Sequence, residues 1–281
     1  MKKVISASRR TDLPAFFPDW LSDVLKRERA QVYGPSGRVY TVNLRPGSVH
    51  TIVLWSKNFS NLIQNAHGLR EVLKKYDQTY FLFTITGLGG TFIEKDVPEP
   101  AAALAQLPGL VEIAGNPMRV SLRFDPIVYW RDGEKTKTNL PSFGTIAEKA
   151  ARAGIKDIRI SFTQWYGKST RRARKHGFDY VDPDETQKLE AAAWLADVAA
   201  EKKLRLFSCS QNFLTRVPGI RASACIDGKL LGALHPRGED ASTARDKSQR
   251  PECGCTESVD IGSYTQSCPH CCLYCYANPK I

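Results

Sequence analysis

Thr145-Ile-Ala-Glu-Lys-Ala-Ala-Arg-Ala-Gly-Ile-Lys-Asp157-Ile-Arg-Ile-Ser-Phe162 carries the pattern on which the fold turns. Thr145–Ala153 reads as a helix. Asp157–Phe162 is a short apolar, β-branched run bounded by polar or turn residues, as expected of a strand buried on both faces. Working outward, the same unit recurs. Upstream, strands are expected at Lys3–Ala7, Thr51–Trp55, Tyr80–Thr86 and Arg119–Phe124, and downstream at Arg205–Cys209. Helical patterns lie at Trp20–Arg29, Ser60–Tyr76, Ala101–Ala114 and Asp184–Lys202. The last has an acidic first turn, an Ala-rich centre and Lys202-Lys203 at its end, in keeping with the helix dipole. Val39–Leu44 and Val49–Trp55 read as an extra hairpin turning at Arg45-Pro46-Gly47-Ser48.

Strands alternating with helices imply an α/β fold with a parallel sheet and right-handed crossovers. Six strands fit a six-stranded parallel βα barrel, partial or full; an open doubly wound sheet fits the same count. Either architecture places function at the C-terminal ends of the strands. The residues there are polar: Ser8 through Asp12, Ser56-Lys57-Asn58, Thr86 through Gly90, then Arg123, Asp125 and Pro126, then Ser161, Thr163 and Gln164, and finally Ser208 through Gln211. N-caps and turns would account for part of this set. Arg123 and Asp125 flank an apolar residue and so share a face, either as an ion pair or as substrate contacts.

After residue 211 the alternation stops. Residues 1–211 are read as a βα barrel-like domain and 212–281 as an irregular C-terminal extension lying over the barrel mouth. Arg221–Leu234 suggests a hairpin at Asp227-Gly228, and 235–251 is polar, like a loop or linker. No apolar stretch is long enough for a membrane span, and the first residues lack a secretory h-region, so no membrane partner and a cytoplasmic location are expected.

A net charge of +11 favours acidic partners, nucleic acid among them. The clearest basic run, Lys168 through Lys175, reads either as a solvated face or as a nucleic-acid contact, with Trp165-Tyr166 beside it for stacking.

The eight cysteines all follow residue 208, and in a reducing compartment such crowding argues for metal or redox chemistry rather than disulfides. The tail reads Cys268-Pro-His-Cys-Cys272-Leu-Tyr274-Cys275. The spacing Cys268-x3-Cys272-x2-Cys275 can wrap three thiolates around one face of a 4Fe–4S cube and leave the fourth iron open. Zinc is the other metal such a cluster could hold. Cys271 is not assigned to it. Cys209, Cys225, Cys253 and Cys255 remain: they could form a second site, zinc or an auxiliary iron–sulfur cluster, or Cys209 and Cys225 could be simple core residues.

The tail, with Tyr274 before its last cysteine, resembles the cluster loops of radical S-adenosylmethionine (SAM) proteins similar to spore photoproduct lyase. Over its whole length the chain resembles the bacterial family catalogued as domain of unknown function 1848. The residues that carry this are Ile5-Ser-Ala-Ser-Arg-Arg-Thr-Asp12-Leu-Pro14, Val49-His50-Thr51, Trp55-Ser-Lys57-Asn58, Phe83 through Gly87, Arg123-Phe-Asp125-Pro126, Cys225-Ile-Asp227 and Asp260-Ile-Gly262. The resemblance implies a 4Fe–4S cluster on Cys268, Cys272 and Cys275, with SAM as co-substrate. It also implies reductive SAM cleavage to a 5′-deoxyadenosyl radical and an electron donor such as a flavodoxin or ferredoxin. Two departures stand out. The cluster loop lies near the C-terminus, whereas in radical SAM enzymes it follows the first strand. No Gly-Gly-Glu run, which in that superfamily contacts the SAM amine, is present. Arg9, Asp12, Lys57 and Arg123 are the candidate catalytic residues from their expected place at the barrel mouth. Three functions are carried forward: a radical SAM-like enzyme acting on an unidentified substrate such as a nucleic acid or nucleotide, a non-catalytic zinc or iron–sulfur protein that binds nucleic acid, and an electron-transfer protein.

Overall fold

A computed structural model describes every residue except Pro35, Asn278 and Ile281. The chain opens with strand β1 (Lys3–Ala7) and helices α1 (Leu13–Phe16) and α2 (Pro18–Lys26). An antiparallel hairpin of β2 (Arg29–Tyr33) and β3 (Val39–Asn43) leads into β4 (Val49–Ser56). Then come α3 (Ser60–Ile63), α4 (Leu69–Leu73), β5 (Thr79–Thr84), α5 (Pro100–Leu104), α6 (Leu107–Ala114) and β6 (Val120–Ile127). A second hairpin, β7 (Tyr129–Asp132) with β8 (Lys135–Thr138), precedes α7 (Phe143–Arg152) and β9 (Asp157–Phe162). The chain continues through α8 (Gly167–Lys175), β10 (Tyr180–Val181), α9 (Glu185–Glu201), β11 (Arg205–Ser208), β12 (Ile220–Ala222), α10 (Gly228–Ala233) and β13 (Val259–Asp260).

All six expected strands are present, in sequence order, in one parallel sheet. The sheet has eight strands, however, in the order β13-β1-β4-β5-β6-β9-β11-β12. The two additional strands are supplied by the segment after residue 211. At three and two residues they are too short to leave a periodic signal. Among the described residues no ladder joins β12 to β13, so the sheet has two edges and no closure of a barrel is seen.

Alternation along the strands divides the sheet into two faces. Ile5, Ile52, Leu54, Phe81, Phe83, Leu122, Phe124, Ile158, Ile160 and Leu206 form the main core with the helices. The opposite face presents Val4, Val53, Trp55, Tyr80 and Leu82, which pack against Cys225, Ile226, Leu231, Ala241 and Cys255 of the C-terminal segment. Each large apolar side chain so covered contributes about 1.5–3 kcal/mol. The segment after β11 is therefore the cover of the sheet's second face.

Three local expectations are corrected. Val39–Asn43 pairs with β2 and not with β4, because Pro46–Ser48 winds into a 3-10 turn that ends the hairpin pattern. Asp227-Gly228 is a helix start, with the Asp227 side chain accepting from Leu230 N–H, and not a hairpin turn. The helix expected over Ser60–Tyr76 is broken where Asn65, His67 and Gly68 take left-handed φ values of 55°, 55° and 70°. Among the described residues no helix is long and apolar enough to cross a membrane.

Candidate metal centre

The C-terminal ends of β1, β4, β5, β6, β9 and β11 open on one cavity, and most of the polar residues expected there line it: Arg9 and Asp12, Lys57, Arg123 and Asp125, Ser161 and Gln164, and Cys209; at β5 Thr84 lines it, and Thr86 through Gly90 do not. The remaining wall is the C-terminal segment. Seven of the eight cysteines line this cavity: Cys268, Cys272 and Cys275 from the tail loop, and Cys209, Cys225, Cys253 and Cys255 from the cover.

The tail is fastened before the loop begins. β13 pairs in parallel with β1, and the Asp260 carboxylate accepts from Ser6 and Ser8 hydroxyls at 2.7 and 2.8 Å and from the Arg9 and Gly262 backbone N–H at 2.8 and 2.9 Å. Gly262 has no alternative there, since a Cβ would lie 2.0 Å from Ser8 Oγ.

Asp12 caps α1 through Ala15 N–H and also accepts from Ser56 Oγ at 2.7 Å and Lys57 N–H at 2.8 Å. Its Oδ2 lies 2.8 Å from His270 Nε2, while His270 Nδ1 lies 3.0 Å from the Asp96 carbonyl. Asp12 thus ties β1, β4 and the cysteine loop together, and its acceptor positions are largely taken. Cys271 adopts φ +55°, a conformation that favours glycine, and its thiol donates to the Lys280 and Pro269 carbonyls at 2.7 and 3.1 Å, away from the other thiols.

Lys57 is half-buried and pairs with the fully buried Glu94 at 2.8 Å; the hydroxyl of Tyr274 donates to the same Glu94 oxygen. Burial opposes the Lys57 charge, but Glu94 and then Cys272 outweigh it and hold the ammonium above the usual lysine range. Burial pushes the Cys272 thiol up, against the pull of Lys57. Cys268 is pushed up to about 12 by burial and by Asp12, partly offset by the backbone N–H of His270 and Asp12. These thiols keep their protons near neutrality, so binding a metal must release them.

The other four thiols converge from β11, the turn after β12 and the Cys253-Gly-Cys255 turn. Cys209 and Cys225 sulfurs lie 3.5 Å apart, and the Ile226 N–H donates to Cys255 at 3.4 Å. Contact with Cys225 brings the Cys209 thiol down to about 7, despite burial. Three guanidiniums surround this group. Burial works against all three. Cys255 is the largest factor restoring the Arg9 charge, Asp125 the largest for Arg123 and Tyr80 the largest for Arg159, with Cys225 also acting on each. Arg9 and Arg123 both stack on Trp55, at 5.5 and 5.1 Å. Arg123 is ion-paired with Asp125, so the two do share a face.

The four candidate catalytic residues therefore divide: Asp12 and Lys57 stand at the three-thiol loop, Arg9 and Arg123 at the four-thiol group. Sequence reasoning missed Glu94, His270 and Arg159. Glu94 lies four residues beyond Gly90 in a loop without periodicity and is fully buried, with Oε2 lacking a partner. Arg159 interrupts the apolar run of β9, which was the available signal.

The basic run forms α8, away from the cavity. No curated protein matches the chain. A family model matches residues 4–277, nearly the whole length, and the chain belongs to that family, described as a domain of unknown function (DUF1848).

Proposed function

We propose that this chain is an iron–sulfur protein and a radical SAM-like enzyme. Cys268, Cys272 and Cys275 would hold a 4Fe–4S cluster with one iron open, and Cys209, Cys225, Cys253 and Cys255 a second metal centre. The observation that carries this reading is the gathering of seven cysteines, in groups of three and four, on one cavity. Among the described residues the tail loop offers no fourth sulfur, because Cys271 is turned away and both His270 nitrogens are engaged. An incompletely ligated cube is what SAM chelation requires.

Charge supports the same reading. Five cationic side chains and two carboxylates line the cavity, an excess of three positive charges against seven thiols. With all seven ionised, four negative charges remain, which two doubly charged metal cores would neutralise. The cationic side chains on the cavity would thus be matched by the metal centres, and an anionic substrate is not needed to explain them.

When bound, such a cluster supplies the electron that cleaves the sulfonium carbon–sulfur bond of SAM. Lys57, held by Glu94, would bind the SAM carboxylate, and Asp12 would position the loop through His270. Trp55 and Tyr274, which line the cavity, would keep water from the reacting atoms. In this reading the sheet is an incomplete βα barrel whose gap, between β12 and β13, is filled by residues 223–258.

The second centre would be zinc or an auxiliary cluster: Cys209 and Cys225 lie 3.5 Å apart, but among the described residues no three of the four sulfurs lie within 4.8 Å of one another, wider than the ~3.8 Å of a tetrahedral zinc site, so this spacing does not single out zinc.

Metal analysis and electron paramagnetic resonance of anaerobically purified protein test the reading. Roughly four irons per chain are expected, or about eight if the second centre is also a cluster. The reduced protein's signal should change on adding SAM, with release of 5′-deoxyadenosine. Colourless protein holding zinc alone, with no signal on reduction, would sink it.

A further inference from the structure

The cysteine loop is gripped from two directions. In one, Lys57 and Tyr274 meet on a single oxygen of Glu94, so the Lys57 charge is neutralised there. In the other lies α8, where the helical period puts Ser169, Arg172 and Ala173 on one face. Ser169 and Ala173 are buried, and Ala173 shares a small core with Cys272, Leu273 and Tyr274. Arg172, half-buried on the same face, donates from Nη1 to the carbonyls of Cys275 and Leu273 at 2.6 and 3.3 Å. The other cations of the helix, Lys168, Arg171, Arg174 and Lys175, are exposed. Among the described residues Arg172 has no carboxylate partner. Its positive charge is therefore held, uncancelled, against the residue that carries one of the three tail sulfurs.

From this juxtaposition we infer that Arg172 is a positioning residue of the proposed cluster, one that fixes the Cys275 end of the loop and raises the reduction potential of the centre. The inference rests on the proposed function and adds a residue that does not itself line the cavity. A doubly positive core on three thiolates carries one net negative charge, and two once it is reduced. In that step the core gains one electron, given up by a low-potential reductant such as dithionite; no bond forms or breaks and no proton moves. A cation fixed beside Cys275 stabilises the reduced state more than the oxidised one. The guanidinium, half-buried and without a carboxylate, in turn needs an anion at the loop, which metal-bound thiolates supply. The exposed cations of α8 are screened by water and salt and contribute little.

The test is a dithionite titration of metal-loaded protein followed by electron paramagnetic resonance, on wild type, Arg172→Gln, Arg172→Lys and Lys168→Gln. Glutamine keeps a donor for the carbonyls but no charge. Its reduction equilibrium constant should fall about 10-fold, equivalent to about 59 mV in the midpoint for one electron. Lysine keeps the charge and should stay within about 3-fold of wild type. Lys168→Gln should leave the midpoint in place. An unmoved midpoint in Arg172→Gln, or an equal fall in Lys168→Gln, would overturn the inference. Where Arg172→Gln fails to retain iron, Arg172→Lys decides: a midpoint near wild type upholds the role of the charge, and a fall as large as that expected of glutamine overturns it. Wild-type protein in which dithionite generates no cluster signal overturns the proposed function and this inference with it. A normal wild-type signal with unmoved midpoints overturns this inference alone.

Discussion

The carboxylate of Asp12, in the first loop of the chain, lies 2.8 Å from the imidazole of His270, 258 positions later. That single contact joins the end of β1 to the cysteine loop, and the remaining Asp12 hydrogen bonds join both to β4. In Asp12→Asn, whichever oxygen becomes the amide nitrogen faces a backbone donor, Ala15 N–H at one position or Lys57 N–H at the other. The expected cost is about 2–4 kcal/mol in urea denaturation. Metal content at the three-thiol loop should fall while the four-thiol centre remains filled.

The two cysteine groups should load separately. Cys268→Ala is expected to remove roughly four irons per chain and leave the second centre's metal in place. Cys225→Ala should do the reverse. Metal analysis of the two variants decides it, and loss of both metals from either variant would mean the seven thiols act as one site.

Glu94 holds Lys57 and Tyr274 together from a fully buried position. Glu94→Gln leaves the half-buried Lys57 ammonium without its partner, a change that typically costs about 3–5 kcal/mol. SAM affinity, measured by equilibrium dialysis, should weaken about 10-fold or more. Iron content should be retained, because among the described residues the Glu94 carboxylate bonds to Lys57 and Tyr274 and to no cysteine.

At Gly262 the tail runs against Ser8 so closely that an added Cβ would lie 2.7 Å from Ser8 Cβ as well as 2.0 Å from its Oγ. Gly262→Ala should lower stability by about 2 kcal/mol or more. Adding Ser8→Gly should recover part of the clash but forfeit the bond to Asp260. A double-mutant cycle on thermal unfolding would show coupling between the two positions, and strict additivity would argue against the contact.

Much of the sheet was legible because its strands are continuous apolar runs, and β9 matches its expected bounds. The edges were not. Val259–Asp260 is a strand because Asp260 finds three donors, Ser6, Ser8 and Arg9, on β1 and the loop after it, information held at the other end of the chain. Asp227-Gly228 misled because Asp before Gly serves equally as a hairpin turn and as a helix cap. At the site, Cys268, Cys272 and Cys275 were visible by spacing, whereas for Cys209, Cys225, Cys253 and Cys255 the sequence left both a second site and simple core packing open, and the four now share one apolar cluster under the sheet. Glu94 was invisible, since a loop carboxylate gives no sign of being buried until its partner, Tyr274, 180 positions on, is placed beside it.

Covering the second face of the sheet from the far end of the chain has a consequence in time. Every cysteine follows β11, so a ribosome makes six of the sheet's eight strands before any thiol. If the thiols hold a cluster as proposed, its insertion would wait for chains that already carry those six strands, and products interrupted before Cys209 would leave no half-built cysteine-ligated centre behind.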